Sequence, residues 1–477
     1  MKVLLCLIAL GLTSFVFSGP IAAQDENLFE PSQDTSAQAA AEDAAVPDAA
    51  MALAAGNTQF ALEIYQKLAN ESGNIFISPL SVSQALSMVY AGAKGETADN
   101  ISQVLHFPST GEELLEAFSL LNAYLTADNP EASSCGAPAQ SSAPAPATET
   151  PAPATEAPAP ATEAPAQSSA PATSNEVEGT APSLVLRLAN SIWLQNDAKF
   201  EVSFTDAMGK YFQGQSYQVD FKTDEANARA AINDWASKAT EGKITNLLAN
   251  PLNILTKLVL VNAVYFKGTW QDSFEKELTQ PAQFNLPTEK VEVPFMNREG
   301  SYRYFELDGA QVLELPYSGR KLSMLVILPP EGVGTLAACE KALTPENLNT
   351  IVEGLAPTKV KVSIPKFTIT WGAESLIEPL KLLGLTVPFG EDADFSGMTG
   401  DKSLVISDIF HKAFVEVSEE GTEAAAATAA VAVTRATLDP PEVPVFTADR
   451  PFIFFIREKK TGSIIFMGRV VDPRTSS

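Results

Sequence analysis

Apolar residues follow two different rhythms along the chain, and two long stretches follow neither. In "TQFALEIYQKLANES", residues 58–72, the side chains Phe60, Ala61, Ile64, Tyr65 and Leu68 recur at helical spacing. "LSVSQALSMVYAGA" (80–93) and "EANARAAINDWASKAT" (225–240) also read as helices. Other segments are nearly continuous apolar runs. They are "LVLRLANSIWLQ" (184–195), "KLVLVNAVYFKG" (257–268), "KLSMLVILP" (321–329), "KVKVSIPKFTI" (359–369), "PFIFFIRE" (451–458) and "SIIFMGRVV" (463–471). Their length and their Val, Ile and Phe content predict strands. Helices and strands are mixed without a regular strand–helix–strand repeat, which predicts an α+β fold on mostly antiparallel sheet.

The two exceptional stretches set the domain boundaries. Residues 24–52 hold seven acids and no Lys or Arg, and periodic apolar sequence starts near Leu53. They read as a disordered acidic leader. Residues 131–182 contain "APAPATETPAPATEAPAPATEAPA", a seven-residue repeat whose prolines forbid a continuous helix. This Pro/Ala/Thr-rich segment reads as an extended insertion. A folded domain is therefore expected over 53–474, interrupted by 131–182. Ahead of both, Lys2, the run "VLLCLIALGL" and the small residues of "SGPIAA" have the form of a signal peptide over 1–23. The run is short of the roughly 20 residues that a membrane span needs. The expectation is a secreted, extracellular protein, or a periplasmic one if the host is a Gram-negative bacterium, with no membrane partner.

The net charge of −26 disfavours nucleic acid and heparin-type polyanions as partners. About half of that charge sits in the leader and the insertion, which together hold thirteen acids. Of three cysteines, Cys6 lies in the signal, Cys135 in the insertion and Cys339 in the folded part, so no disulfide framework is visible. Two sequons, at Asn70 and Asn100, matter only in a host that glycosylates.

The sequence is poor in catalytic groups. His106 and His411 are its only histidines. His106 follows a helical pattern and His411 lies in a strand pattern, where packing is the commoner role. No G-x-S-x-G elbow and no H-E-x-x-H motif occurs. "GVGTLA", Gly332 to Ala337, fits a dinucleotide fingerprint, but "PPE" separates it from the preceding strand. It reads as a loop that starts a short helix. No metal or cofactor site is expected, and no enzyme activity.

The stretch "EEGTEAAAATAAVAVTRA", 419–436, supplies the missing function. It joins an Ala-rich run to β-formers and a lone cation. In a strand, alternate side chains face opposite ways. One set is Thr422, Ala424, Ala426, Thr428, Ala430, Ala432 and Thr434, all small and uncharged. The other set carries both charges, Glu423 and Arg435.

Four ordered blocks then resemble one family, the serpins. They are "NIFISPLSVSQALSMVYAGAKGET" (74–97), "LVNAVYFKGTWQDSF" (260–274), "VSEEGTEAAAATAA" (417–430) and "FTADRPFIFFIREKKTGSIIFMGRVVDP" (446–473). The resemblance implies a large central, mostly antiparallel sheet, two smaller sheets, eight or nine helices and an exposed reactive loop. It makes Glu419, Glu420, Gly421, Thr422, Glu423, Ala424, Ala425, Ala426 and Ala427 the hinge of that loop. Arg435, sixteen residues after Glu419, stands at the family's usual cleavage position. The reactive bond is then Arg435–Ala436, bait for a trypsin-like serine protease. Cutting near Val433 by an elastase-like enzyme is the alternative register, because the loop beyond the cut, "ATLDPP", is about two residues longer than in common family members. Ser78, Ser81, Asn262 and His411 match the polar cluster over which the central strands part, and Trp270 matches the tryptophan where the hinge enters. The implied protein is a monomeric suicide-substrate inhibitor. A non-inhibitory serpin acting as carrier, chaperone or storage protein is the rival reading.

Overall fold

The apolar runs become strands and the periodic segments helices in the computed structural model, which describes residues 46–127, 184–212, 215–422 and 442–474. The first stretch holds α1 (Asp48–Leu68), β1 (Ile75–Ile77), α2 (Pro79–Tyr90), α3 (Gly95–Val104) and α4 (Gly111–Thr126). The second holds β2 (Leu184–Gln195) and α5 (Val202–Phe212). The third opens with β3 (Gln215–Val219), α6 (Glu225–Ala239), β4 (Leu258–Thr269), β5 (Gln280–Asn285), β6 (Lys290–Leu307), β7 (Ala310–Pro316) and β8 (Leu322–Leu328). It continues through α7 (Thr335–Ala342), α8 (Pro345–Gly354), β9 (Ala356–Pro365), β10 (Phe367–Ser375), α9 (Ile377–Leu382), α10 (Ser396–Thr399), β11 (Asp408–Val417) and β12 (Gly421–Thr422). The last contains β13 (Val445–Thr447), β14 (Phe452–Glu458) and β15 (Ile464–Val470).

The central sheet has the order β10-β11-β4-β2-β3, with the two residues of β12 added to the end of β4. It is mixed: β10–β11, β4–β2 and β12–β4 are antiparallel, while β11–β4 and β2–β3 are parallel. The expected two smaller sheets form one nine-stranded assembly among the described residues, β1-β15-β14-β8-β7-β6-β9-β13 with β5 on β6. The reason is β6. Its 18 residues pair with β5 at one end, β9 in the middle and β7 at the other end, so one strand belongs to both halves. The described residues include ten α-helices, against eight or nine expected.

Strand β4 is nearly all buried because both its faces are covered. Leu258, Leu260, Val264 and Phe266 join the main core. Val259, Val261 and Ala263 face the other way and pack in a second cluster with Ala228, Ile232 and Ala236 of α6. Behind the sheet lies α2, every residue of which is buried. Its start is well specified: the Ser78 hydroxyl accepts from the Ser81 amide at the N-cap and Pro79 pre-sets the first turn.

At the start of the chain the structure departs from the expected boundary. Helix α1 begins at Asp48, inside the stretch read as leader, because Ala50 is already part of the core. Pro47 ends the helix on that side. The run expected to be a signal, most of the expected leader and the Pro/Ala/Thr-rich stretch at 131–182 lie outside the described residues.

Candidate functional site

Those of the expected site residues that are described gather along the seam between β4 and β11. These strands run side by side in the same direction, paired from Asp408↔Val259 to Phe414↔Tyr265. Their outer neighbours, β2 and β10, are antiparallel to them. A strand placed in the seam and running the opposite way would therefore be antiparallel to both sides.

Halfway along the seam, five polar side chains meet, from α2 and its N-cap, β2, β4 and β11. The Ser78 amide donates to His411 Nε2 at 3.3 Å, so that nitrogen is the acceptor and the proton sits on Nδ1. His411 Nδ1 then donates to Asn262 Oδ1. Asn262 Nδ2 donates to Ser81 Oγ and to Asn190 Oδ1. The Ser78 hydroxyl donates to the Ile465 carbonyl at 2.7 Å. His411 is fully buried, and burial with no charge partner pushes its imidazole down to about 3. It is neutral at any physiological pH.

Trp270 does not belong to this cluster. It stands eight residues after Asn262, just past the end of β4 at the top of the seam, beside Ser418–Gly421. Its amide donates to the Glu420 carbonyl and its indole N–H to the Ser418 carbonyl, both at 3.0 Å. Its ring stacks on Tyr317 at 4.6 Å. There β12 joins the edge of β4, Gly421 opposite Thr269 and Thr422 opposite Gly268. Gly421 has φ +136, and a Cβ on it would come within 2.1 Å of the Gly268 carbonyl oxygen. Only glycine fits this close approach of two backbones.

Glu419 and Glu420 are nearly buried here. Glu419 meets Lys366 Nζ and the Thr279 hydroxyl, each at 2.8 Å. Burial alone would raise its carboxyl, but those hydrogen bonds outweigh it and hold the group below the usual range. Glu420 meets Lys276 Nζ at 2.5 Å. At the foot of the seam, where β4 and β11 begin, lies a surface cleft of about 570 Å³, lined by Leu255, Thr256, Ser407, Asp408 and Phe410 among others.

Glu423, Ala424, Ala425, Ala426, Ala427, Val433, Arg435 and Ala436 lie outside the described residues. Sequence reasoning missed three parts of the site. Asn190 completes the polar cluster and passes it on through Gln84. Its signal was present as the "ANS" that interrupts an otherwise apolar strand. Lys366 and Lys276 gave none, because their partners are more than fifty residues away in sequence.

The comparisons with known proteins agree with this geometry. A family profile described as serpin (serine protease inhibitor) matches residues 55–140 and 155–473. The human leukocyte elastase inhibitor is 38% identical over 434 residues, covering 88% of this chain and 99% of that protein. An uncharacterised serpin-like protein of Thermococcus kodakarensis is 34% identical over 415 residues, 87% of this chain and 84% of that protein. Among solved structures, Serpin48 of the insect Tenebrio molitor superposes with a TM-score of 0.68 at 29% identity, covering 88% of this chain and 98% of that one. The chain belongs to the serpin family. The fold is the α+β serpin fold, and the family and these relatives are protease inhibitors or serpin-like proteins by name.

Proposed function

We propose that this serpin is a secreted suicide-substrate inhibitor of trypsin-like serine proteases, with Arg435–Ala436 as the reactive bond. The observation that carries the reading is the position of β12. The hinge starts as a strand already paired antiparallel to β4, at the top of a seam that accepts one more antiparallel strand. The protease serine attacks the Arg435 carbonyl carbon. The Arg435–Ala436 peptide bond breaks, the amine of Ala436 takes up the proton and leaves, and Arg435 becomes esterified to the enzyme. The freed hinge then enters the seam and carries the acyl-enzyme with it before water can hydrolyse the ester. The polar cluster around His411 is the place where β4 and β11 part, and Trp270 marks where the hinge enters. None of these steps uses a catalytic group of the serpin itself. Secretion rests on the signal-like run at residues 1–23.

The likeness to a leukocyte elastase inhibitor favours a second reading of the bait, with an elastase-like enzyme cutting at Val433–Thr434. Incubation with trypsin and with elastase, followed by denaturing electrophoresis and N-terminal sequencing of the released peptide, separates the two. A trypsin complex that survives denaturation, with a peptide starting at Ala436, is the expected result. A peptide starting at Thr434 assigns the elastase-like bond. Clean cleavage without complex would mean a non-inhibitory serpin.

A further inference from the structure

We infer that the cleft at the foot of the seam is a binding site for a small organic cation, an ammonium or amidinium group carried on an apolar body, with Asp408 as its counter-ion. Three segments build the cleft: the stretch 248–256 that leads into β4, the start of β11 with Ser407 ahead of it, and the end of β10 at Ser375. All three lie within the described residues and none belongs to the reactive loop, so the site stands apart from the inhibitor reading.

The cleft has the size and lining of a ligand site. Its volume of about 570 Å³ lies within the roughly 300–1,000 Å³ of small-molecule pockets. Leu248, Leu252 and Phe410 give it apolar surface, and Leu255 stands at its rim, 75% exposed. Thr256 and Ser407 add hydroxyls.

Among the described residues that line the cleft, Asp408 alone is charged. It is half-buried. Its Oδ1 accepts from the Ile409 amide at 2.8 Å, and the Ser375 hydroxyl also bonds the carboxylate. Two donors leave about half of a carboxylate's acceptor sites unused. Burial raises the carboxyl above its usual range in spite of these bonds, and no cation offsets it. The nearest lysines along the two strands are engaged elsewhere. Lys257 Nζ donates to the Ser403 carbonyl at 2.6 Å, and Lys412 Nζ to the Asn246 carbonyl at 2.8 Å. Glu225 of α6, which accepts from the Leu252 amide, is paired with Arg229.

This charge selects the occupant. A neutral apolar molecule would cover the carboxylate without replacing its water, at a cost. An anion would be repelled. A divalent metal needs several oxygen ligands, and no group of three acidic, His or Cys side chains is assembled among the described residues. An organic monocation meets both demands, because its charge pairs with Asp408 while its body covers the leucines and Phe410. The occupant would touch β11 through Asp408 and the approach to β4 through Leu255. It therefore fits while the Ser407 hydroxyl still accepts the Lys257 amide at 2.9 Å across the foot of the seam. Binding then stabilises the joined strands by mass action.

The test uses three molecules with one ring and different charge: benzamidine, benzamide and benzoate. Their binding to the full chain is measured by calorimetry at pH 7. Benzamidine is expected to bind about tenfold or more tightly than benzamide, with no binding of benzoate. Asp408→Asn keeps the shape and removes the charge, and should weaken benzamidine about tenfold while leaving benzamide unchanged. Leu255→Lys places an ammonium at the exposed rim, where the fold is not at stake, and should weaken benzamidine to a similar degree. Benzamidine should also raise the thermal unfolding midpoint of the parent and not that of the Asp408→Asn protein. No binding of benzamidine, equal affinity for benzamidine and benzamide, or a benzamidine affinity unchanged in either variant overturns the inference.

Discussion

Lowering the pH from 7 to 5 is expected to destabilise the protein through a single imidazole, His411. In the folded chain its Nε2 accepts from the Ser78 amide and its Nδ1 proton is held by Asn262. Protonation would turn Nε2 into a donor facing a donor, in a site with no solvent and no carboxylate partner among the described residues. Burial depresses the group to about 3, while an unfolded chain titrates near 6.5. Between these values the unfolded state binds the proton and the folded state does not. The stability contributed by neutral His411 is thus fully present above about 6.5 and falls as pH drops, by about 1.4 kcal/mol per unit, until the folded group itself titrates. From pH 7 to pH 5 the loss comes to about 2 kcal/mol, an order-of-magnitude figure.

The chain has only two histidines, which makes the assay direct. A His106→Asn background leaves one imidazole, and its carbon-bound ring proton is followed by NMR from pH 7.5 to 4. The signal is expected to hold the neutral Nδ1–H tautomer throughout the folded range. In parallel, denaturant unfolding of that protein and of its His411→Gln derivative is compared at pH 7 and 5. The parent is expected to lose about 2 kcal/mol more than the derivative over that interval. A ring that titrates above pH 5.5 in the folded protein, or equal losses in the two proteins, would refute the reasoning.

Gly421→Ala is expected to detach β12 from β4, since its Cβ would strike the Gly268 carbonyl at 2.1 Å and the Thr269 Cα at 2.6 Å. Strain of roughly 1–3 kcal/mol should appear as a changed Trp270 fluorescence and faster amide exchange at Thr422, and an unchanged spectrum and exchange rate would argue against the contact. Arg435→Ala should slow association with trypsin by orders of magnitude while the unfolding midpoint stays fixed. Retained trypsin inhibition would place the bait elsewhere. Deleting 137–176 should leave the trapping ratio nearly unchanged, because the span carries no apolar periodicity and closing a shorter surface loop differs little in entropy. Loss of trapping with the fold intact would give the insertion a direct part in inhibition.

What the sequence made legible was set by local signals. The buried helix α2 and strand β4 each carry a pattern that one segment suffices to define. So do Ser78, Ser81, Asn262 and His411, which stand out as polar residues at fixed places in apolar runs and do meet in space. Asn190 belongs with them, but a strand with two polar residues at its centre does not say which one turns inward. The Glu419–Lys366 and Glu420–Lys276 pairs were illegible because pairing across 53 and 144 positions leaves no mark on either segment. The acidic leader misled at its end for another reason. Ala and Asp next to a proline are as fit to begin a helix as to avoid one, and only the core around Ala50 decides.

The composition of the seam follows from the demand that it hold and then open. On the proposed mechanism, the inserted hinge replaces one parallel ladder of seven residue pairs with two antiparallel ones about a dozen residues long. At about 1 kcal/mol net for each added hydrogen bond, the gain rivals the whole stability of an ordinary domain, about 5–15 kcal/mol. The loop-out form is then held by a barrier and not by its depth. That barrier must lie in contacts that are intact before insertion and broken during it. Apolar packing is a poor choice for such contacts, because side chains pried apart leave cavities until they repack. Directional bonds between small groups serve better: Asn262 and neutral His411 can exchange each other for an incoming hydroxyl or backbone group, with no charge created and no polar atom abandoned.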